Sequence, residues 1–298
     1  MQAHDLTIDL PHIRLAARAW GNASLPPLLA LHGWLDNAAT HDRLAPLLCE
    51  HFHFVALDLP GHGHSQHRPN GAGYHFTDYL PDVLGAADTL GWTSFHLLGH
   101  SLGAGIASVL AAACPQRVQS LILIELLGPM SKPADKTLDL LRRSLIAYRE
   151  TGTKPLRIFA TVEEAMAARE KANNLSPKAA AILVERGLNE VPDGFSWSSD
   201  PRLTLPSPQR FSEAQLLDLM HGIRAPTLLI LAEPDTWPSL NETLDARIAQ
   251  VADIEVVRLP GNHHLHLENP LPVATTILAF TQRLRERSAP ATRVQAQD

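Results

Sequence analysis

Cysteine is scarce: the chain of 298 residues has two, Cys49 and Cys114. Both fall on expected helices, so neither a disulfide framework nor a thiolate metal site is indicated. A dominant charge is also missing. The net charge of −6 is mild and spread along the chain. No basic stripe suggests nucleic acid, and no polybasic run suggests an anionic membrane. No apolar run approaches the ~18 residues that a membrane span needs. The N-terminal stretch MQAHDLTIDLPHIRL has no basic segment followed by an apolar one, so no signal peptide is expected. Internal repeats and low-complexity segments are absent too. These absences leave a soluble, cytoplasmic protein that acts on a small molecule, without a nucleic-acid or membrane partner.

Apolar residues make up 45% of the chain, enough for a sizeable core. They come in short runs, at 28–31, 52–57, 95–98, 118–126, 226–231 and 254–259. Segments of helical spacing lie between them, at 77–90, 104–113, 239–251 and 271–287. Residues 6–20 alternate weakly and read as one or two edge strands. Strands alternating with helices predict an α/β fold with a mainly parallel sheet covered on both faces. The rhythm breaks between 128 and 211, where charge clusters and proline-rich loops dominate and no strand run is evident. This segment is expected to be a helical cap inserted into the sheet domain. The core then comprises 1–127 and 212–287, and 288–298 is a flexible tail.

The pattern Gly99-His100-Ser101-Leu102-Gly103 sits between an apolar strand and a helix of small residues. A serine hydroxyl is a poor nucleophile. It needs a base, donors for the oxyanion and a backbone that thrusts it into the open. A strand-to-helix elbow supplies the last, and the glycines on either side keep the turn tight. The N–H of Leu102, at the start of the helix, is a natural oxyanion donor. Ser101, Trp34, Asp58 and Glu125 all fall at carboxyl ends of expected strands, where parallel sheets carry their ligands.

Four motifs resemble those of the α/β-hydrolase fold superfamily, in its serine-hydrolase, esterase-like branch with a helical cap. They are His32-Gly33-Trp34, the turn from Asp58 to Ser65 (D-x-P-G-x-G-x-S), the Ser101 elbow, and Asn262-His263 followed by Glu268-Asn269-Pro270. The resemblance spans about residues 6 to 287. It implies that the residue after Gly33, Trp34, lends its N–H to the oxyanion hole. It implies a braced His32 and an Asp58 that fixes its turn, which also accounts for the cluster His62, His64 and His67 without a metal. Counting back five residues from Glu268 nominates His263 as the base, with His264 next and His266 packing on the terminal helix. Asn262 stands where the family usually has glycine. The acid is open between two residues. Asp235, in Ala232-Glu233-Pro234-Asp235, resembles the usual position and is favoured. Glu125 is the rival.

The expected function is hydrolysis of a small to medium carboxylic ester through an acyl-enzyme, with no cofactor and no metal. Carbon–carbon bond hydrolysis of a dienoic keto acid, a perhydrolase or haloperoxidase activity, and a non-catalytic small-ligand binder are the alternatives. An arginine turned into the pocket would favour the carbon–carbon reading, and Arg142, Arg143, Arg149 and Arg157 are the cap's candidates. Serine at the elbow argues against dehalogenases and epoxide hydrolases of this fold, which use aspartate there.

Overall fold

The computed structural model describes residues 2–150, 157–236 and 238–288. The chain enters through an antiparallel hairpin, β1 (His4–Leu10) and β2 (Ile13–Trp20). Next come β3 (Pro27–Leu31), the short helix α1 (Ala45–Leu48), β4 (His53–Leu57) and α2 (Tyr79–Thr89). The elbow is formed by β5 (Phe95–His100) and α3 (Leu102–Ala113), followed by β6 (Val118–Ile124). The inserted region carries α4 (Thr137–Arg149), β7 (Ile158–Phe159), α5 (Val162–Asn173), α6 (Pro177–Gly187), β8 (Leu188–Val191) and β9 (Gly194–Trp197). Then follow α7 (Glu213–His221), β10 (Thr227–Glu233), α8 (Pro238–Ile248), β11 (Ile254–Pro260), α9 (Leu265–Glu268) and α10 (Pro270–Ser288).

Eight strands form one sheet in the order β1-β2-β4-β3-β5-β6-β10-β11. Only the β1–β2 and β2–β4 pairings are antiparallel. The central strands are buried on both faces, as their unbroken apolar runs require. Successive side chains alternate between two cores. Leu29, Leu31, Leu97 and Leu121 face the helices α2 and α3. Leu28, Ala30, Leu98 and Ile122 face α1 and α10. This is the α/β architecture that the alternating pattern predicts, with helices on both faces of a mostly parallel sheet.

The region 128–211 departs from the expectation of an all-helical cap. β7, β9 and β8 make a separate three-stranded antiparallel sheet. Its strands are two to four residues long, too short to leave an alternation that a sequence window registers. The helices have local signals. Thr161 and Ser176 cap α5 and α6 with their hydroxyls, and Pro177 occupies the first position of α6. Asn174 ends α5 in the left-handed region at φ 52°. The tail from 289 onward lies outside the described residues.

Two cap arginines turn inward onto core carboxylates. Arg186 donates from Nε to Asp58 Oδ2 at 3.0 Å and from Nη1 to Asp5 Oδ1 at 2.8 Å. Arg169 binds Asp36. From the core side, Glu268 accepts from the amide and hydroxyl of Ser176, both at 2.7 Å. The inserted region is thus latched by buried and half-buried charge-assisted bonds.

Burial lowers the pKa of seven histidines, His32, His41, His53, His62, His96, His100 and His266. His41 and His62 are pushed down to about 3 and His96 to about 4. His100 and His266 fall well below the ordinary value. Below about pH 6.5 the unfolded chain protonates these rings while the native state does not, so acid favours unfolding. Each ring adds a slope of about 1.4 kcal/mol per pH unit in that window. Asp42 works the other way, because burial lifts its carboxyl to about 6, but it is one group. Stability should therefore fall steeply from pH 6.5 towards 4, read as urea midpoints across that range. His41→Phe should flatten the slope by about 1.4 kcal/mol per unit; an unchanged slope would contradict the assignment.

Candidate active site

The elbow has the shape that its glycines predict. Ser101 has φ 51° and ψ −113°, a conformation that costs about 1–3 kcal/mol for a residue with a side chain. Its amide is anchored to Ile124 O at 3.0 Å, and Gly103 donates to His32 O at 3.0 Å. A Cβ on Gly99 would lie 2.3 Å from the carbonyl oxygen of Gly103. One on Gly103 would lie 2.3 Å from that of Leu31. Only glycine lets β3, β5 and α3 approach this closely. Leu102 opens α3, so its N–H has no intrahelical partner.

His32 braces the oxyanion turn through both ring nitrogens. Nε2 accepts from the Leu59 amide at 2.9 Å, so Nδ1 carries the proton and donates to Gly33 O at 2.7 Å. Burial lowers its pKa and keeps it neutral. Trp34 follows, half-exposed, with its indole N–H on Leu203 O at 3.0 Å. Asp58 stitches its own turn, accepting from Ala38 N at 2.6 Å and His64 N at 2.9 Å. Both residues take the positioning roles that the resemblance implies. His62 Nδ1 contacts Pro60 O and His67 Nε2 contacts Ser198 O, so these two rings serve the turn and the cap separately.

The three histidines after β11 have different surroundings. His263 Nδ1 lies 3.1 Å from Glu125 Oε2. His264 Nε2 lies 3.1 Å from Asp36 Oδ2. His266 Nε2 bonds Thr40 Oγ1 at 2.9 Å, and its ring lies against His41 and His100. The packing expected on the terminal helix is thus found on the 38–41 turn. Asn262 has a use that glycine lacks. Its side chain accepts from the His264 amide at 2.9 Å and donates to Asn174 O of the cap at 3.1 Å.

The carboxylate beside His263 belongs to Glu125, not to the favoured Asp235. Glu125 follows β6 at φ 68° and is 7% exposed. One oxygen accepts from the Ala232 amide, the other from the Thr236 hydroxyl and from His263. Asp235 pairs with Arg258 of β11 at the surface. Sheet order does not decide this, since β10 borders β11, which leads into His263, while β6 lies one strand farther away.

Sequence reading does not find Asp36, His100 or Arg169. Asp36 accepts from His264 and from Arg169, and its amide donates to Gly33 O at 3.1 Å. Burial alone would raise its pKa, but His264 and Arg169 hold it well below the usual carboxylate range. His100 Nε2 donates to His263 O at 2.8 Å, tying the elbow to the histidine loop. The one weak signal is a polar Asp36-Asn37 pair straight after an apolar strand and turn. Asp36, His100 and His264 bring three ligand atoms within 4.8 Å of one another. The carboxylate is already compensated by Arg169 and His264, so this set is better described as an ion-pair network than a cation cradle. The four cap arginines considered for the pocket are all exposed, and Arg157 lies over the Phe159 ring.

Residues 26–270 match the alpha/beta hydrolase fold family. A serine hydrolase-like protein of Dictyostelium discoideum is 32% identical over 90% of this chain and 78% of its own. One of Danio rerio is 32% identical over 94% and 89%. Among solved structures, a hypothetical protein of Pseudomonas aeruginosa is 42% identical with a TM-score of 0.88, covering 94% of this chain and 99% of its own. The thioesterase domain of the curacin biosynthetic pathway is 26% identical with a TM-score of 0.83, over 94% and 100%.

The close approach at the elbow makes Gly103→Ala a sharp probe. The methyl has backbone on its far side and nowhere to move, so a loss on the order of 3 kcal/mol is expected. Thermal melts would register it.

Proposed function

The chain belongs to the α/β-hydrolase fold family, and from that premise we propose that it is a serine hydrolase cleaving a small to medium carboxylic ester through an acyl-enzyme. One observation carries the proposal: His263 Nδ1 lies 3.1 Å from a buried carboxylate while Ser101 projects from a strained elbow. Curated relatives bear the name serine hydrolase-like protein, and the similar curacin domain is a thioesterase, both in keeping with acyl transfer at serine.

In this reading, Ser101 Oγ attacks the ester carbonyl and His263 Nε2 takes its proton. The N–H groups of Trp34 and Leu102 receive the oxyanion. Collapse expels the alcohol, which collects the proton from His263. Water then attacks the acyl-enzyme with the same imidazole as base. Glu125 accepts from Nδ1–H, which fixes the working tautomer and stabilises the imidazolium. The pairing of Asp235 with Arg258 supports a surface role for that residue. The inward cap arginines are engaged by Asp36 and Asp58, which weighs against a carbon–carbon hydrolase that needs one for an acidic substrate.

Fluorophosphonate labelling followed by a panel of p-nitrophenyl esters tests the proposal. Ser101→Ala should lose labelling and on the order of 10⁶ in kcat. Glu125→Gln should lose about 10⁴ in kcat with little change in KM, because the amide stabilises the wrong tautomer. Asp235→Asn should stay within about threefold of the parent. A dead Asp235→Asn beside an active Glu125→Gln would reverse the assignment of the acid. An unlabelled wild-type protein would sink the serine mechanism altogether.

A further inference from the structure

Helix α4 presents an apolar face that nothing among the described residues covers. No residue of it is buried. Leu138, Leu145 and Ile146 are 56–59% exposed, and Leu141 and Tyr148 are exposed as well. At about 100° per residue, Leu138, Leu141, Leu145 and Tyr148 fall within an arc of about 80°. Leu140, Ser144 and Ala147, the only half-buried positions, fall in an arc of about 60° centred about 110° from that of the leucines. The helix therefore rests on a narrow inner stripe and turns its apolar face outward. That is the reverse of a surface helix that serves its own core.

The charges around this face have a definite sign. Residues 132–149 hold five basic and two acidic side chains, in a chain whose net charge is −6. Asp135 and Asp139 are paired with Lys136 and Arg143. Arg142 and Arg149 take part in no ion pair among the described residues, and they are seven apart, in a row beside the Leu138–Leu145 row. Long arginine stems flanking a leucine stripe can reach up to a charged layer while the leucines go below it. A chain of hydrogen bonds links the C-terminal end of the helix to the candidate active site. Tyr148 donates to Gly71 O, Arg202 binds Ala72 O at 2.8 Å, and Leu203 O receives the indole N–H of Trp34 at 3.0 Å.

We infer that α4 is an interfacial helix that docks the protein on an anionic phospholipid surface, with the mouth of the active site beside the lipid. Thirteen residues make about 20 Å of helix, a length suited to lying in the interface. No described helix is long and apolar enough to cross a membrane, so the contact is peripheral. Positive charge on this face orients an otherwise acidic molecule on an anionic surface. The whole-chain charge balance, from which no membrane partner is expected, averages this face away.

Co-sedimentation of the full-length protein with vesicles tests the inference, independently of whether Ser101 turns over an ester. The protein should pellet with phosphatidylcholine vesicles containing phosphatidylserine, not with phosphatidylcholine alone, and high salt should release it. Arg142→Gln with Arg149→Gln should weaken binding by about 30-fold, from about one phosphate-layer contact per arginine. Leu138→Ser with Leu141→Ser and Leu145→Ser should abolish it. Failure of the wild type to pellet with the anionic vesicles would overturn the inference, as would variants that bind like the wild type. So would light scattering that shows a wild-type dimer and a monomeric leucine variant, which would assign the face to a second copy of the chain. Should the leucine variant misfold, the arginine variant, altered only at exposed side chains, decides.

Discussion

The buried carboxylate of Asp36 ties together the segments from which the candidate site is made. It sits on the oxyanion turn and holds that turn closed through its own amide on Gly33. It receives His264, the neighbour of His263, and Arg169 from the cap helix α5. His100, the residue before Ser101, lies 3.7 Å away and bonds the carbonyl of His263. The turn after β3, the Ser101 elbow, the histidine loop and the inserted region thus share one anion. A buried charge of this kind is tolerable only because it is compensated. Removing one partner leaves an uncompensated ion, which typically costs 3–5 kcal/mol, so each segment depends on the others being in place.

Much of this architecture is legible in the chain because its constraints are local. The apolar runs name the central strands, since a strand buried on both faces has no room for polar residues. Gly99 and Gly103 name the elbow, since backbone approaches within reach of a single methyl group. Asp58 and His32 can be read as braces because glycine-broken turns need fixed hydrogen bonds. The network around Asp36 is not legible, because it joins Asp36 to residues 64, 133 and 228 positions away whose types are common. The small sheet of β7, β9 and β8 escapes for the opposite reason: its strands are shorter than the period that would betray them.

The choice between two carboxylates shows where local reading ends. Asp235 and Glu125 both follow apolar strands, so strand-end position does not separate them. Their surroundings do. Glu125 lies in an apolar run, where an unpartnered carboxylate would be costly, and the fold gives it three partners: the Ala232 amide, the Thr236 hydroxyl and His263. Asp235 lies beside β11, where Arg258 meets it in the open. The apolar neighbours of Glu125 are the signal in the chain that the fold must supply it with partners.

Protonation follows from the same contacts. His100 Nε2 faces a carbonyl, so it carries the ring proton and leaves Nδ1 as an acceptor. That acceptor points towards Asp36, and burial together with the surrounding histidines keeps it from gaining a second proton. Two acceptors facing each other would repel at hydrogen-bond distance. At 3.7 Å they stand apart, and the charge of Asp36 is met by Arg169 and His264 instead. His100 can therefore hold the His263 backbone as a neutral donor, without becoming a second cation beside the imidazolium that the proposed chemistry requires. A lysine or a charged histidine at that position would raise the cost of protonating His263 at each turnover. The neutral ring next to the nucleophile is thus part of the electrostatics of the base, set by the carbonyl on one side and a compensated carboxylate on the other.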